Sequence, residues 1–268
     1  MNQYWPFSGL LRQVSLRDRL IVSLDQSDRR EALRLVERLA GMVGMFKVGK
    51  ALFMNSGPDF VREVRQRGGE VFLDLRFHVN ARAALRGALE ATRLGAKMFD
   101  LHGAKNAEAM MRIRNEVSRL CQVEGLRRPH IMAVAMLADV PGSASERPFQ
   151  RPGLDWITTT ARCASDAGLD GVITSPAGAP RVRSVCRRQF IIVTSGGFSS
   201  VGAWRSGPLQ ADAAEALRRG ADYLVIGGAL WGGREPLRTV REMVEQIDHR
   251  LRSAPHSALG DTGTRRPQ

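Results

Sequence analysis

The sequence predicts an α/β protein folded as one (β/α)8 TIM barrel, and three observations lead there. Eight short apolar runs alternate with eight amphipathic stretches along the chain. The length of 268 residues suits a closed barrel, which takes about 250. No GxGxxG follows a predicted strand, and an open doubly wound sheet rarely needs eight regular repeats.

In order, residues 1–18 hold Trp5, Phe7, Leu10 and Leu11 without clear periodicity, and are expected to form an arm packed on the body. The barrel is expected over residues 19–252. Arg19–Leu24 is a short apolar run ending at Asp25 and reads as the first strand. Asp28 followed by Glu31 suits a helix N-terminus, and Ala32, Leu35, Val36 and Leu39 then form one apolar stripe. Met45–Val48 is the second strand, and Ser56-Gly57-Pro58 starts a helix carrying Phe60, Val61 and Val64. The later strands are Val71–Leu75, Lys97–Leu101, His130–Leu137, Gly171–Thr174, Phe190–Val193 and Tyr223–Ile226. The helices after them cover Ala83–Leu94, Ala107–Val123, Trp156–Ala167, Ala179–Arg187, Ala211–Arg219 and Leu237–Leu251, with a long loop at Asp139–Gly153. Residues 253–268 are small, polar and proline-containing, the composition of a disordered tail.

Composition narrows the setting. Hydrophobic residues make up 43% and charged residues 25%, ordinary globular values. No apolar run approaches a membrane span, and the first residues lack the layout of a signal peptide. Cys121, Cys163 and Cys186 are far apart and odd in number, so they suggest no disulfide framework and fit a reducing cytoplasm. The net charge of +13 raises the question of nucleic acid. The excess is arginine, dispersed as Arg62, Arg65 and Arg67, Arg127 and Arg128, Arg187 and Arg188, and Arg218 and Arg219. Each set falls near a predicted helix end, where a cation complements the macrodipole. Without aromatic-interleaved motifs, solvated helix ends are the better reading.

In a barrel of this kind the residues just past each strand line the active-site mouth. Those residues are Asp25, Lys47, Asp74 with Arg76 and His78, Asp100 with His102, Asp139, Ser175, Gly196 with Gly197, and Gly227 with Gly228. Glycine pairs after the seventh and eighth strands suit a phosphate, because bare backbone amides approach it closely. Asp25, Lys47 and Asp74 come from neighbouring strands and are expected to meet in an ion-pair network. His78 and His102 are acid/base candidates, although a lone histidine is more often structural. Their spacing with the aspartates matches no metal motif, so no metal site is expected.

Several of these stretches closely resemble the orotidine 5′-phosphate decarboxylase family. They are Leu24-Asp25, Phe46-Lys47-Val48-Gly49, Val71-Phe72-Leu73-Asp74-Leu75, Phe77-His78, Leu101-His102, Asp170-Gly171-Val172 and Gly220-Ala221-Asp222-Tyr223-Leu224-Val225, in the family's order over roughly residues 19–250. The resemblance implies a (β/α)8 barrel that decarboxylates orotidine monophosphate to UMP without metal or cofactor. It also implies a homodimer with a small phosphorylated nucleotide as its partner, while composition argues against nucleic acid and membrane partners. In the family the first aspartate and the Lys of KVG hold the ribose and organise the charges. The next aspartate faces the substrate carboxylate, and a lysine two residues on protonates the carbanion. Asp25, Lys47 and Asp74 occupy matching positions.

The chain departs from the family at other positions. Arg76 stands in the place of the proton-donating lysine, and Val79 in that of an aspartate that crosses to the partner's site. Asn80-Ala81-Arg82-Ala83 replaces Ile-Pro-Asn-Thr, and Gly228 replaces a phosphate-binding arginine. Phe198 falls where an arginine is common, and Asp139 where a serine reads the pyrimidine. A guanidinium does not release its proton in proteins, so it is a poor general acid. Losing such an acid removes roughly 10²–10⁴ in rate. The expected catalytic set is Lys47, Asp74 and Arg76, with Asp25, His102, Asp139, Gly196, Gly197, Gly227 and Gly228 binding substrate. Three readings stay open: a working decarboxylase, a barrel enzyme acting on another phosphorylated substrate, and a non-catalytic nucleotide- or protein-binding descendant.

Overall fold

The structure is a computed structural model that describes residues 14–24, 28–78, 81–102, 106–135, 154–195, 208–227 and 235–253. Eight parallel strands close into a barrel in chain order. They are β1 Leu20–Ser23, β2 Met45–Gly49, β3 Val71–His78, β4 Met98–His102, β5 His130–Val134, β6 Gly171–Thr174, β7 Ile191–Thr194 and β8 Tyr223–Ile226. Closure comes from pairing β1 with β8, Ile21 opposite Val225. The helices of the described residues are α1 Arg29–Leu39, α2 Lys50–Gln66, α3 Ala81–Arg93, α4 Ala107–Glu124, α5 Leu154–Asp166, α6 Ala179–Val185, α7 Pro208–Arg218 and α8 Pro236–Ser253. The barrel elements therefore run from Leu20 to Ser253. Residues 1–13 and 254–268, most of the expected arm and tail, lie outside the described residues.

Local chemistry accounts for most element ends. Asp28 caps α1, its carboxylate accepting the Glu31 amide at 2.8 Å. Asn106 does the same for α4 through the Ala109 amide. Several elements differ from the sequence expectation: β5 ends at Val134 rather than Leu137, α7 begins at Pro208 rather than Ala211, and α2 and β3 depart as follows. Helix α2 begins at Lys50 rather than at Ser56, because Lys50–Met54 are mostly strong helix formers and Leu52 finds a buried place. Gly57, at φ 71°, breaks that helix, and Pro58 restarts it where a missing amide costs least. Strand β3 runs past Leu75 to His78, because the ladder resumes after an irregularity described below.

Two apolar layers hold the barrel. Ile21, Met45, Phe72, Met98, Met132, Ile173, Val193 and Val225 fill its interior. A larger layer, with Phe46, Phe60, Phe99, Ile113, Phe190 and Met243, lies between strands and helices. Strand spacing leaves no room for a side chain at Gly171, where a Cβ would meet the Ile191 carbonyl oxygen at 2.1 Å.

The N-terminal ends of the strands carry a repeated clamp. Asp170, just before β6, accepts the Ile131 amide of β5 at 2.8 Å and pairs with Arg128 at 2.9 Å. Asp222, just before β8, accepts the Ile192 amide of β7 at 2.8 Å and pairs with Arg183 at 2.8 Å. Each aspartate ties two neighbouring strands at the face opposite the mouth, where such residues serve stability. The stretches around Asp170 and Asp222 thus mark the fold rather than the chemistry.

Candidate active site

Strand β3 departs from regular pairing where the charged groups begin. Leu73 lies opposite Phe99 and Phe77 opposite Leu101, so Asp74, Leu75 and Arg76 together face Asp100 alone. Arg76 takes φ 48° within this bulge, a left-handed conformation costing a non-glycine residue roughly 1–2 kcal/mol. The Asp100 carboxylate compensates by accepting the Arg76 amide at 2.9 Å. Past the bulge, the Phe77 ring packs edge-on against Phe99, with centroids 6.4 Å apart. Room for that ring comes from Gly87 of α3, where a Cβ would approach Phe77 to 2.5 Å.

The bulge turns its charges into a crevice at the C-terminal ends of the strands, lined by Lys47, Asp74, Arg76, Asp100 and Ser195 above Phe72, Val134 and Ile173. Lys47 reaches Asp74 at 3.2 Å, and the Arg76 guanidinium lies 3.7 Å from the other Asp74 oxygen. The Lys47 and Asp74 side chains are 9% and 17% exposed, so water screens this pair far less than a surface pair. Burial opposes the Asp74 charge. The field of Lys47, a hydrogen bond with Asp100 and the field of Arg76 together outweigh it and hold the Asp74 pKa below its usual value. Asp100 moves the other way. Complete burial, then the Asp74 charge and their shared hydrogen bond, raise its pKa well above normal, against the Arg76 amide and guanidinium. The result is a line of cation, anion and neutral acid.

Of the expected residues, the structure brings Lys47, Asp74 and Arg76 together. His102 ends β4, opposite His78 in the strand register and two residues beyond Asp100. Gly227 follows β8 beside Ser23, where an added Cβ would sit at an ordinary 3.5 Å. Among the described residues, packing therefore does not require glycine there. Asp25, Asp139, Gly196, Gly197 and Gly228, with Val79, lie outside the described residues. Among the described residues no three His, Cys, Asp or Glu side chains converge as a metal site. None of their helices is long and apolar enough to cross a membrane.

Residues 18–243 match the orotidine 5′-phosphate decarboxylase / HUMPS family. The chain belongs to that family. It is similar to the orotidine 5′-phosphate decarboxylase of Geobacter sulfurreducens, with 35% identity over 86% of this chain and 96% of that protein. The enzyme of the same name from Syntrophotalea carbinolica is 37% identical over 87% of this chain and 96% of the relative. The crystal structure of the Lactobacillus acidophilus orotidine 5′-phosphate decarboxylase shares the fold, with a TM-score of 0.71 at 22% identity, covering 85% of this chain and 98% of that one. Within this family frame, Asp100 is the site residue that sequence reasoning passed over. It read as one strand-end acid among several, and only the three-against-one pairing of β3 with β4 places it behind Asp74.

Proposed function

We propose that this chain decarboxylates orotidine 5′-phosphate to UMP by a route needing no metal or cofactor. The observation that carries the reading is the shielded Lys47–Asp74 pair at the barrel mouth of a chain from this family. In this reading Asp74 lies against the substrate carboxylate, and its negative charge disfavours that ground state. Departure of CO2 removes the repulsion and leaves an electron pair on the ring carbon. Lys47 and Arg76 offset the charge that develops, in a crevice shielded enough for their fields to count. The carbon then takes up a proton. Asp25 and Lys47 orient the ribose, His102 and Asp139 lie along the pyrimidine, and the amides of Gly196, Gly197, Gly227 and Gly228 receive the phosphate. The reading includes a homodimer, as the family resemblance implies, and a cytoplasmic setting, as the scattered cysteines suggest.

Incubation of purified protein with orotidine monophosphate, with UMP followed by chromatography, tests this directly. Turnover above background is expected. A rate at background with saturating substrate would sink the proposal. Arg76→Lys combined with Val79→Asp is expected to raise kcat, by up to roughly 10²–10⁴, by adding an amine acid to the site. Thermal stabilisation by UMP without turnover would instead assign nucleotide binding alone, the reading that Arg76 in the lysine position favours.

A further inference from the structure

With arginine in place of the lysine, the proton for the ring carbon needs another source. Asp100 offers one. It lies at the centre of β4, has no exposed surface, and presents its carboxyl to the bulge of β3. One oxygen accepts the Arg76 amide at 2.9 Å, while the other is buried with no protein donor among the described residues. The Asp74 carboxyl comes from the bulge residues that face Asp100 and lines the same crevice. Two carboxyl groups so placed and shielded from water resist being ionised together, so one of them carries a proton.

The surroundings decide which one. From β2, Lys47 stands 3.2 Å from Asp74, and from β3 itself Arg76 stands 3.7 Å away, so both cations favour the Asp74 anion. Asp100 has the Arg76 amide with the weaker field of its guanidinium, His102 two residues along its own strand, and apolar neighbours from β5 and β6 in Val134 and Ile173. The proton therefore rests on Asp100, with Asp74 as its acceptor.

We propose that Asp100 stores the proton this site delivers and passes it to the substrate carbon through Asp74. The inference rests on the decarboxylase reading above. As the bond to the carboxylate breaks, CO2 leaves neutral and its bonding pair stays on the ring carbon. Asp74 receives the Asp100 proton and gives it to that carbon. Asp100 is left as a carboxylate, which takes a proton from water before the next turnover. Each cycle consumes one proton and releases one CO2, with no change of oxidation state at the protein.

Asp100→Asn separates proton storage from structure. The amide oxygen still accepts from the Arg76 amide and the amide nitrogen still donates to Asp74, yet no transferable proton remains. The variant is expected to fold and to keep KM nearly unchanged while kcat falls by roughly 10²–10⁴. Adding Arg76→Lys to it should restore turnover by supplying another acid. Turnover of Asp100→Asn at the wild-type rate would overturn the proposal. Infrared difference spectra of wild type against Asp100→Asn at neutral pH provide a readout free of activity. A carboxylic-acid carbonyl band lost in the variant supports the stored proton, and its absence from wild type overturns it. If wild type shows no turnover, the decarboxylase reading falls and delivery with it, while the band still decides whether the proton is there.

Discussion

Asp74 and Asp100 respond to burial in opposite directions, because Asp74 has Lys47 and Arg76 at its carboxylate while the Arg76 amide and guanidinium do not offset the fuller burial of Asp100. Asp74, with its pKa depressed, contributes stability that is present above the unfolded carboxyl value of about 3.9 and lost as pH falls through the folded value. Asp100, with its pKa raised, contributes stability that is present below that value and lost as pH rises through the folded one. Lys47→Met tests the first half of this balance, since methionine replaces the apolar stem and removes only the charge. Asp74 would then be a shielded anion with one distant cation, and breaking such a pair costs about 3–5 kcal/mol. Unfolding by urea near neutral pH should show that loss. The difference from wild type should shrink as pH falls and vanish only below the depressed folded value of Asp74, where its carboxyl is neutral in both proteins. A loss independent of pH would mean that Lys47 acts by packing rather than by charge.

At the scale of elements, the strands are tied at one end and opened at the other. Asp222 is nearly inaccessible, with a side chain 4% exposed beside Arg183 at 11%. Asp222→Ala leaves the Ile192 amide unpaired and the Arg183 charge without its anion, though backbone carbonyls still accept from the guanidinium, so a loss of about 3–5 kcal/mol is expected from chemical denaturation. Asp170 makes the equivalent clamp between β5 and β6 but with partners 32% and 21% exposed, where water replaces part of the interaction. Asp170→Ala should therefore lose less, about 1.5–3 kcal/mol, the worth of hydrogen bonds to a charged group. Equal losses from the two variants would show that burial does not distinguish the clamps. At the opposite end, the β3 bulge breaks the ladder and turns side chains toward the crevice, so the element that departs from regularity is also the one that carries the chemistry.

Across the whole molecule, what the sequence made legible follows from periodicity. The runs at Gly171–Thr174 and Tyr223–Ile226 are strands with the predicted bounds, because each is apolar, short and bracketed by glycine or aspartate. Lys47 and Asp74 could be placed together because strand ends in a closed barrel share one mouth. The bulge could not be read, since Val71–His78 looks like one unbroken strand and three-against-one pairing depends on a partner in another element. Asp100 could be placed at the mouth, but its position against the Asp74–Arg76 bulge stayed hidden for that reason. The helical turn before Gly57 was missed because glycine-proline signals a start whether or not a helix already precedes it. Charge is the property belonging to no single element, and the net +13 leaves open whether the surface is a nucleic-acid face. Many arginines are paired within their own helix, as in Arg62–Asp59, Arg93–Glu90, Arg119–Glu116, Arg218–Glu215, Arg238–Glu242 and Arg252–Asp248. These pairs are spread over α2, α3, α4, α7 and α8, around the barrel rather than along one stripe. A phosphate backbone meeting such a surface finds scattered, partly neutralised cations, so binding should be the salt-sensitive, non-specific kind, with Kd about 10⁻⁴–10⁻⁶ M at physiological salt. Fluorescence anisotropy with labelled duplex and single-stranded DNA measures it. A dissociation constant well below that range, holding as salt is raised, would mean that the dispersed arginines converge on a nucleic-acid surface after all.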